Sequence, residues 1–236
     1  MIKSLGITKG KRMLKKYFNN PKTRYRNLAL IILPFILLIG LFGFIAFSSA
    51  KGLLGGSKLA YSIDSMDYHL RSNATDYQKE LFKELSKLCA VEEEAEKDKL
   101  AIASSVVENY IADFYTWTNK AGSYDVGGLY YVHSPSKGNI YAKARDKFYK
   151  YVTHYINEYS SEVLLEVEED SIVIEGSKTK DPYVYNGNNY DAYYFHASWN
   201  YVDHEGFNEK TYKSSENFLV IENEDGRFEI VQAYGD

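Results

Sequence analysis

The sequence predicts an α+β protein: an N-terminal transmembrane helix, then an exported domain of helices packed on a curved antiparallel sheet. Three observations carry this prediction. Residues 28–47, "LALIILPFILLIGLFGFIAF", contain no charge. From Thr75 to about Ile156 the apolar residues recur at helical spacing, and from Ser161 onward they alternate.

At about 1.5 Å per residue the apolar run covers roughly the 30 Å hydrocarbon core of a bilayer. Pro34, Gly40 and Gly43 weaken a soluble helix but are tolerated in a span, where the backbone stays internally satisfied. Ser48-Ser49-Ala50 offers the alternative of a cleaved secretory signal. Against it, the run exceeds the usual signal core of about 7–15 residues, and the stretch before it is long for a signal's basic head. The leader, residues 1–27, carries nine basic side chains and no acid, which places it in the cytoplasm and the remainder outside the cell membrane. The same leader suits anionic lipid head groups, at about 1 kcal/mol per basic residue near the surface.

The chain holds 28 Lys+Arg and 32 Asp+Glu; removing the nine leader bases leaves 19 against 32, a formal charge of −13 beyond the membrane. So acidic an exported part excludes a general nucleic-acid binder. Cys89 is the only cysteine, so no intrachain disulfide forms and the exported part must be held by its core. A disulfide-free exported domain suits a Gram-positive-type envelope.

Residues 48–74 follow as a tether, rich in Gly, Ser and Lys at its start, and the exported domain is expected over residues 75–236. Thr75 and Gln78 form a capping box, and Leu81, Leu85 and Leu88 give the first helix an apolar stripe. A second helix covers 100–118, with Val107, Tyr110, Ile111 and Phe114 on one face. A third runs from Asn139 to Tyr159, with Ala144, Phe148, Tyr151, Val152 and Tyr155 on one face. Between them the Gly-rich stretch 119–139 is expected to be a long ordered loop or a loop holding a short strand.

Val163, Leu165 and Val167 then alternate with acids, Ile172 and Ile174 follow, and residues 211–222 and 228–232 make two strands joined at Asp225-Gly226. In "DAYYFHASWNYVD", residues 191–203, Tyr193, Phe195, Ala197, Trp199 and Tyr201 share one face, and Tyr194, His196, Ser198 and Asn200 the other. This is expected to be a central strand whose aromatic face the helices cover.

A basic leader, a single anchor, helices, then about four strands: this order resembles the nuclear transport factor 2-like exported domains of bitopic conjugation and type IV secretion scaffold proteins, Gram-positive transfer proteins included. The most family-like text is "YIADFYTWTNKAGSYDVGGLYYV", residues 110–132, a helix end running into a Gly-rich loop. The resemblance implies a cone of helices on a bent sheet. It also implies a non-enzymatic assembly subunit, homo-oligomeric, in contact with other membrane or envelope subunits. An enzyme in such a cone would work at its mouth, with an Asp base and Tyr donors. With 23 Tyr in the chain, a Tyr near a carboxylate carries little information.

The residues themselves name no chemistry. The five histidines, His69, His133, His154, His196 and His204, show neither i,i+4 spacing nor a Cys/His cluster, so no metal is expected. No phosphate loop follows a strand, Cys89 lacks a nucleophile motif, and no cofactor or catalytic residue is assigned. His196 is expected to be solvated or hydrogen-bonded. Tyr115, Trp117, Tyr130 and Tyr131, flanking the long loop, are the candidate interaction surface, with burial between helix and sheet as the alternative. The function expected is a membrane scaffold acting through protein contacts. The alternative is a tethered small-molecule or wall-glycan binding module.

Overall fold

The helix of residues 99–114 is the axis of the domain, because nearly every side chain on it from Ile102 to Phe114 is buried. A helix buried around most of its circumference has to be covered around most of it. A helix before it covers one flank, and a four-stranded sheet covers the other. The computed structural model describes residues 62–234, within a unit extending from Leu59 to Asp236. The leader 1–27, the anchor 28–47 and residues 48–61 of the tether lie outside the described residues. No helix among the described residues is long and apolar enough to cross a membrane.

Residues 62–74, expected as tether, belong to the folded unit. β1 (Ser62–Ile63) and β2 (Tyr68–His69) pair antiparallel. Tyr68 is fully buried, donates its hydroxyl to Phe228 O at 2.6 Å and accepts the Phe228 N–H at 3.1 Å. Met66, Tyr68 and Leu70 alternate over three positions in an otherwise polar stretch, too short a run to mark the boundary in the sequence.

α1 (Asp76–Cys89) starts at the Thr75 capping box, with Gln78 reciprocating. It buries Phe82, Leu85 and Cys89, a face rotated by about one position from the Leu81/Leu85/Leu88 stripe. α2 (Lys99–Phe114) is capped by Asp98, whose side chain accepts the Ala101 N–H at 3.0 Å. It stops before the expected 118 because residues 116–118 bond elsewhere. The Trp117 N–H reaches Leu165 O at 2.6 Å, and the Val167 N–H reaches Thr116 Oγ1 at 3.2 Å. Those same bonds hold 164–167 as a strap, with Leu164 and Leu165 both buried, in place of the expected alternating strand.

The expected third helix is two: α3 (Lys137–Asp146) and α4 (Val152–Tyr159). Between them the Tyr149 N–H bonds Ala144 O at 2.8 Å, five residues back, and the helical ladder is lost. The break carries Tyr149 into the core, where its hydroxyl donates to Phe114 O at 2.5 Å and accepts the Gly127 N–H at 3.2 Å. Amphipathic spacing runs through the break unchanged, so the pattern alone could not reveal it.

The main sheet is antiparallel throughout, in the order β3 (Val173–Lys178), β6 (Ala192–Ser198), β7 (Ser215–Glu222), β8 (Phe228–Tyr234). A bulge at Leu219/Val220 adds to its twist and bends it around α2. Between β3 and β6 a separate hairpin, β4 (Tyr183–Tyr185) and β5 (Asn188–Tyr190), turns at Asn186-Gly187. β6 is the expected central strand. Tyr193, Phe195, Ala197, Trp199 and Tyr201 are buried, while Tyr194 and His196 face out.

β3 is an edge strand, bonded only to β6 among the described residues. The Thr179 N–H to Ala192 O bond, 2.8 Å, continues its register and sets the phase. Val173, Glu175 and Ser177 turn their backbone groups to β6; Ile174, Gly176 and Lys178 offer theirs to the open side. Phe195 of β6 lies across Gly176, where an added Cβ would come within 2.1 Å of Phe195 Cδ1 and 2.6 Å of Tyr194 O. Alanine in a strand interior ordinarily gains about 0.5–1 kcal/mol over glycine. Gly176→Ala is instead expected to destabilise by about 1–3 kcal/mol through overpacking. A urea midpoint lowered at constant slope is the expected result, and an unchanged or raised midpoint refutes the packing.

Candidate functional site

Two features converge on the end of α2: a buried ionic network beneath the long loop, and a cleft between α3 and the sheet. The network is built on Asp113. Its Oδ1 lies 2.9 Å from Lys120 Nζ and 3.1 Å from Arg71 Nε, and its Oδ2 accepts the Gly128 N–H at 2.7 Å. Arg71 also reaches Asp125 at 2.6 Å and Asn119 O at 2.8 Å. The Lys120 side chain has no exposed surface. Gly127 and Gly128 permit the contact. A Cβ on Gly127 would meet Asp113 O at 2.2 Å, and Gly128 sits at φ 74°.

One carboxylate serving two cations makes the network asymmetric. Burial works to raise the Asp113 pKa, but Lys120 and Arg71 together overcome it and hold the carboxyl below its ordinary value. Burial lowers the Lys120 pKa, and Asp113, which it shares with Arg71, restores it only in part. Asp113 is therefore an ionised strut and not a proton shuttle. A cavity of about 790 Å³ lies over the network, lined by His69, Arg71, Asn73, Asp125 and Tyr130 among others, and Arg71 and Asp125 there are already paired with each other.

The second feature is a cavity of about 500 Å³ between α3 and the β7–β8 side of the sheet. Tyr110 and Phe114 of α2, Tyr115, Ile140 and Phe148 supply its aromatic and apolar lining, and Ala144 keeps α3 from filling it. Phe148 stacks on Phe114 with ring centres 5.6 Å apart. Lys143, Lys147 and Lys213 stand around it. Glu216, the acid in the lining, is bonded by Lys213 Nζ at 2.7 Å and by the Asn217 N–H at 3.1 Å. Burial, with a contribution from Glu216, pushes the Tyr110 and Tyr115 hydroxyls far above the ordinary phenol value, so both stay protonated and can only share their protons in hydrogen bonds at neutral pH. This arrangement can donate hydrogen bonds and neutralise an anion.

The four aromatic residues singled out from sequence separate. Trp117 and Tyr131 are core, Trp117 with ring contacts to Phe148 at 4.9 Å and Tyr212 at 5.0 Å. Tyr115 is buried but lines the cavity. Tyr130, 47% exposed, stands on the surface against His69, with ring centres 4.9 Å apart. They do not form one exposed patch, because the loop folds back over α2 and carries the neighbours of Tyr130 inward. His196 is hydrogen-bonded to Asn217 Oδ1 at 2.8 Å. Burial pushes the Cys89 thiol up to about 11, which leaves it inert at neutral pH. Among the described residues no group of three or more His, Cys, Asp or Glu is placed to hold a metal ion.

Sequence reasoning missed Arg71, Asp113 and Lys120. The signal available was Asp113 itself, an acid inside the apolar run "YIADFYTW". Comparison with protein-family models, with curated proteins and with solved structures finds no match to this chain.

Removing one partner of a buried ionic group strands the others, so Asp113→Asn is expected to cost about 3–5 kcal/mol at pH 7. The folded-state pKa of Asp113 is depressed. Its contribution is thus complete above the unfolded value of about 3.9 and is lost as pH falls through the lower folded value. In urea titrations across pH the wild type should lose stability in that acid window, and the variant, already weaker, should lose less. Parallel profiles overturn the assignment.

Proposed function

We propose that the protein is a single-pass membrane subunit of a bacterial conjugation or type IV secretion-like apparatus, and that its exported domain acts through protein–protein contacts. The observation that carries this reading is the β3 edge. Among the described residues Ile174, Gly176 and Lys178 have no strand paired to their outward backbone groups, and the open sheet face beside them carries Val173, 58% exposed, and Tyr194, 43% exposed. An uncovered edge is a template for adding a strand from another chain. Either a second copy or another envelope subunit can supply that strand.

Three further features support the reading. Helices followed by a curved four-stranded antiparallel sheet are in keeping with the layout that the resemblance implies. The acids at the two sites described above are paired, Asp113 with two cations and Glu216 with Lys213. The uncharged run 28–47 and the basic leader suit a bitopic anchor with the domain outside.

Full-length protein crosslinked in its own membrane is expected to recover subunits of a transfer apparatus, identified by mass spectrometry. Lys178→Pro removes one outward N–H and none that bonds β6, so the fold should persist while recovery falls about tenfold or more, the equivalent of 1.4 kcal/mol. Recovery of the protein alone, or capture untouched by Lys178→Pro in a folded variant, sinks the edge as the docking element.

A further inference from the structure

We infer that the cleft between α3 and the β7–β8 side of the sheet binds an amphiphilic organic anion, a small molecule with an apolar body and one carboxylate or phosphate head. The inference goes beyond assembly, because it concerns a cavity and not an edge. At about 500 Å³ the cleft is of the size that encloses a small ligand. Its aromatic floor, Phe114 stacked with Phe148 beside Tyr110 and Ile140, suits an apolar body.

Charge selects the head group. Lys143 in the last turn of α3 and Lys147 at its C-cap lie four residues apart, exposed and without an ion-pair or hydrogen-bond partner for either ammonium among the described residues. The other charges nearby are taken: Arg145 holds Asp146 at 2.8 Å, and Lys213 holds Glu216 at 2.7 Å. The exported part as a whole carries an excess of acid. Two unneutralised cations beside an apolar cavity on an acidic domain therefore form a local positive field. A neutral ligand makes no use of it, and a cation is repelled.

The tyrosines add direction. Tyr110 and Tyr115 are protonated at neutral pH and line the cavity, so they can donate to an oxygen that enters it. The lysines are two point charges on flexible stems, which fit a carboxylate or a phosphate equally well.

The test uses full-length protein in neutral-lipid nanodiscs, titrated calorimetrically with 6-phenylhexanoate, 6-phenylhexyl phosphate and the uncharged 6-phenylhexanamide. Both anions should bind about tenfold or more tightly than the amide, and that preference should shrink as salt screens the lysines. The ratio between the two anions identifies the head group. Lys143→Glu/Lys147→Glu, two surface changes, should abolish the preference with the thermal midpoint retained. Ala144→Phe should abolish binding of all three by filling the cavity. Equal binding of acid and amide overturns the proposal, as does an unchanged preference in the double lysine variant. Binding by an acidic aromatic peptide and by neither small anion also overturns it, and assigns the cleft to a partner segment.

Discussion

The Asp113 carboxylate is the interaction on which the rest of the domain depends. It sits in the last turn of α2 and holds three separate pieces of chain: Arg71 from the N-terminal arm, Lys120 from the start of the long loop, and Gly128 from its far side. A Lys with no exposed surface and an Arg beside it are tolerable only because an ionised carboxylate lies between them. The clamp closes the loop back on the helix. Gly127 then meets the Tyr149 hydroxyl, Tyr149 is drawn into the core, and the chain breaks between α3 and α4. The clamp and the cleft meet at the last turn of α2, where Tyr149 bonds Phe114 O and the Phe114 ring lines the cleft.

The tyrosine excess does related work. Tyr68, Tyr149 and Tyr201 are buried, and each donates its hydroxyl to a main-chain carbonyl of another element: Phe228 at 2.6 Å, Phe114 at 2.5 Å and Lys213 at 2.6 Å. A buried phenol supplies apolar area and one directional bond, so it can satisfy a loop carbonyl that no strand or helix reaches. That is a second use for tyrosines whose number suggested an interaction surface, and it accounts for a core that holds together without a disulfide. The aromatic cluster around Phe148 and Trp117 extends the same packing to Phe207 and Tyr212, so the segment between β6 and β7 is pinned to α4.

Much of the fold was legible because its signals are local. The Thr75 capping box, the hairpin turn at Asp225-Gly226 and the face alternation of residues 193–201 need only neighbours a few positions apart, and all three stand as read. The errors have a common cause. The break at Lys147–Tyr151, the strap at 164–167 and the arm at 62–74 are each set by a bond to a residue far along the chain, and an apolar residue gives no hint of which partner it will meet. Trp117 and Tyr131 were ambiguous for the same reason: a helix end running into a loop has one buried side, and spacing does not say which.

The sequence by itself determined the charge asymmetry, the uncharged run 28–47, the absence of disulfides, and an α+β order with a central aromatic strand, since composition and period are properties of the chain alone. Only the tertiary structure decided that Asp113 is clamped between Lys120 and Arg71 and that, among the described residues, β3 has an open edge and two lysines without a charged partner stand beside an apolar cleft. Each of these is a relation between residues brought together by folding, and its energy depends on burial and distance, which exist only once the chain has closed on itself.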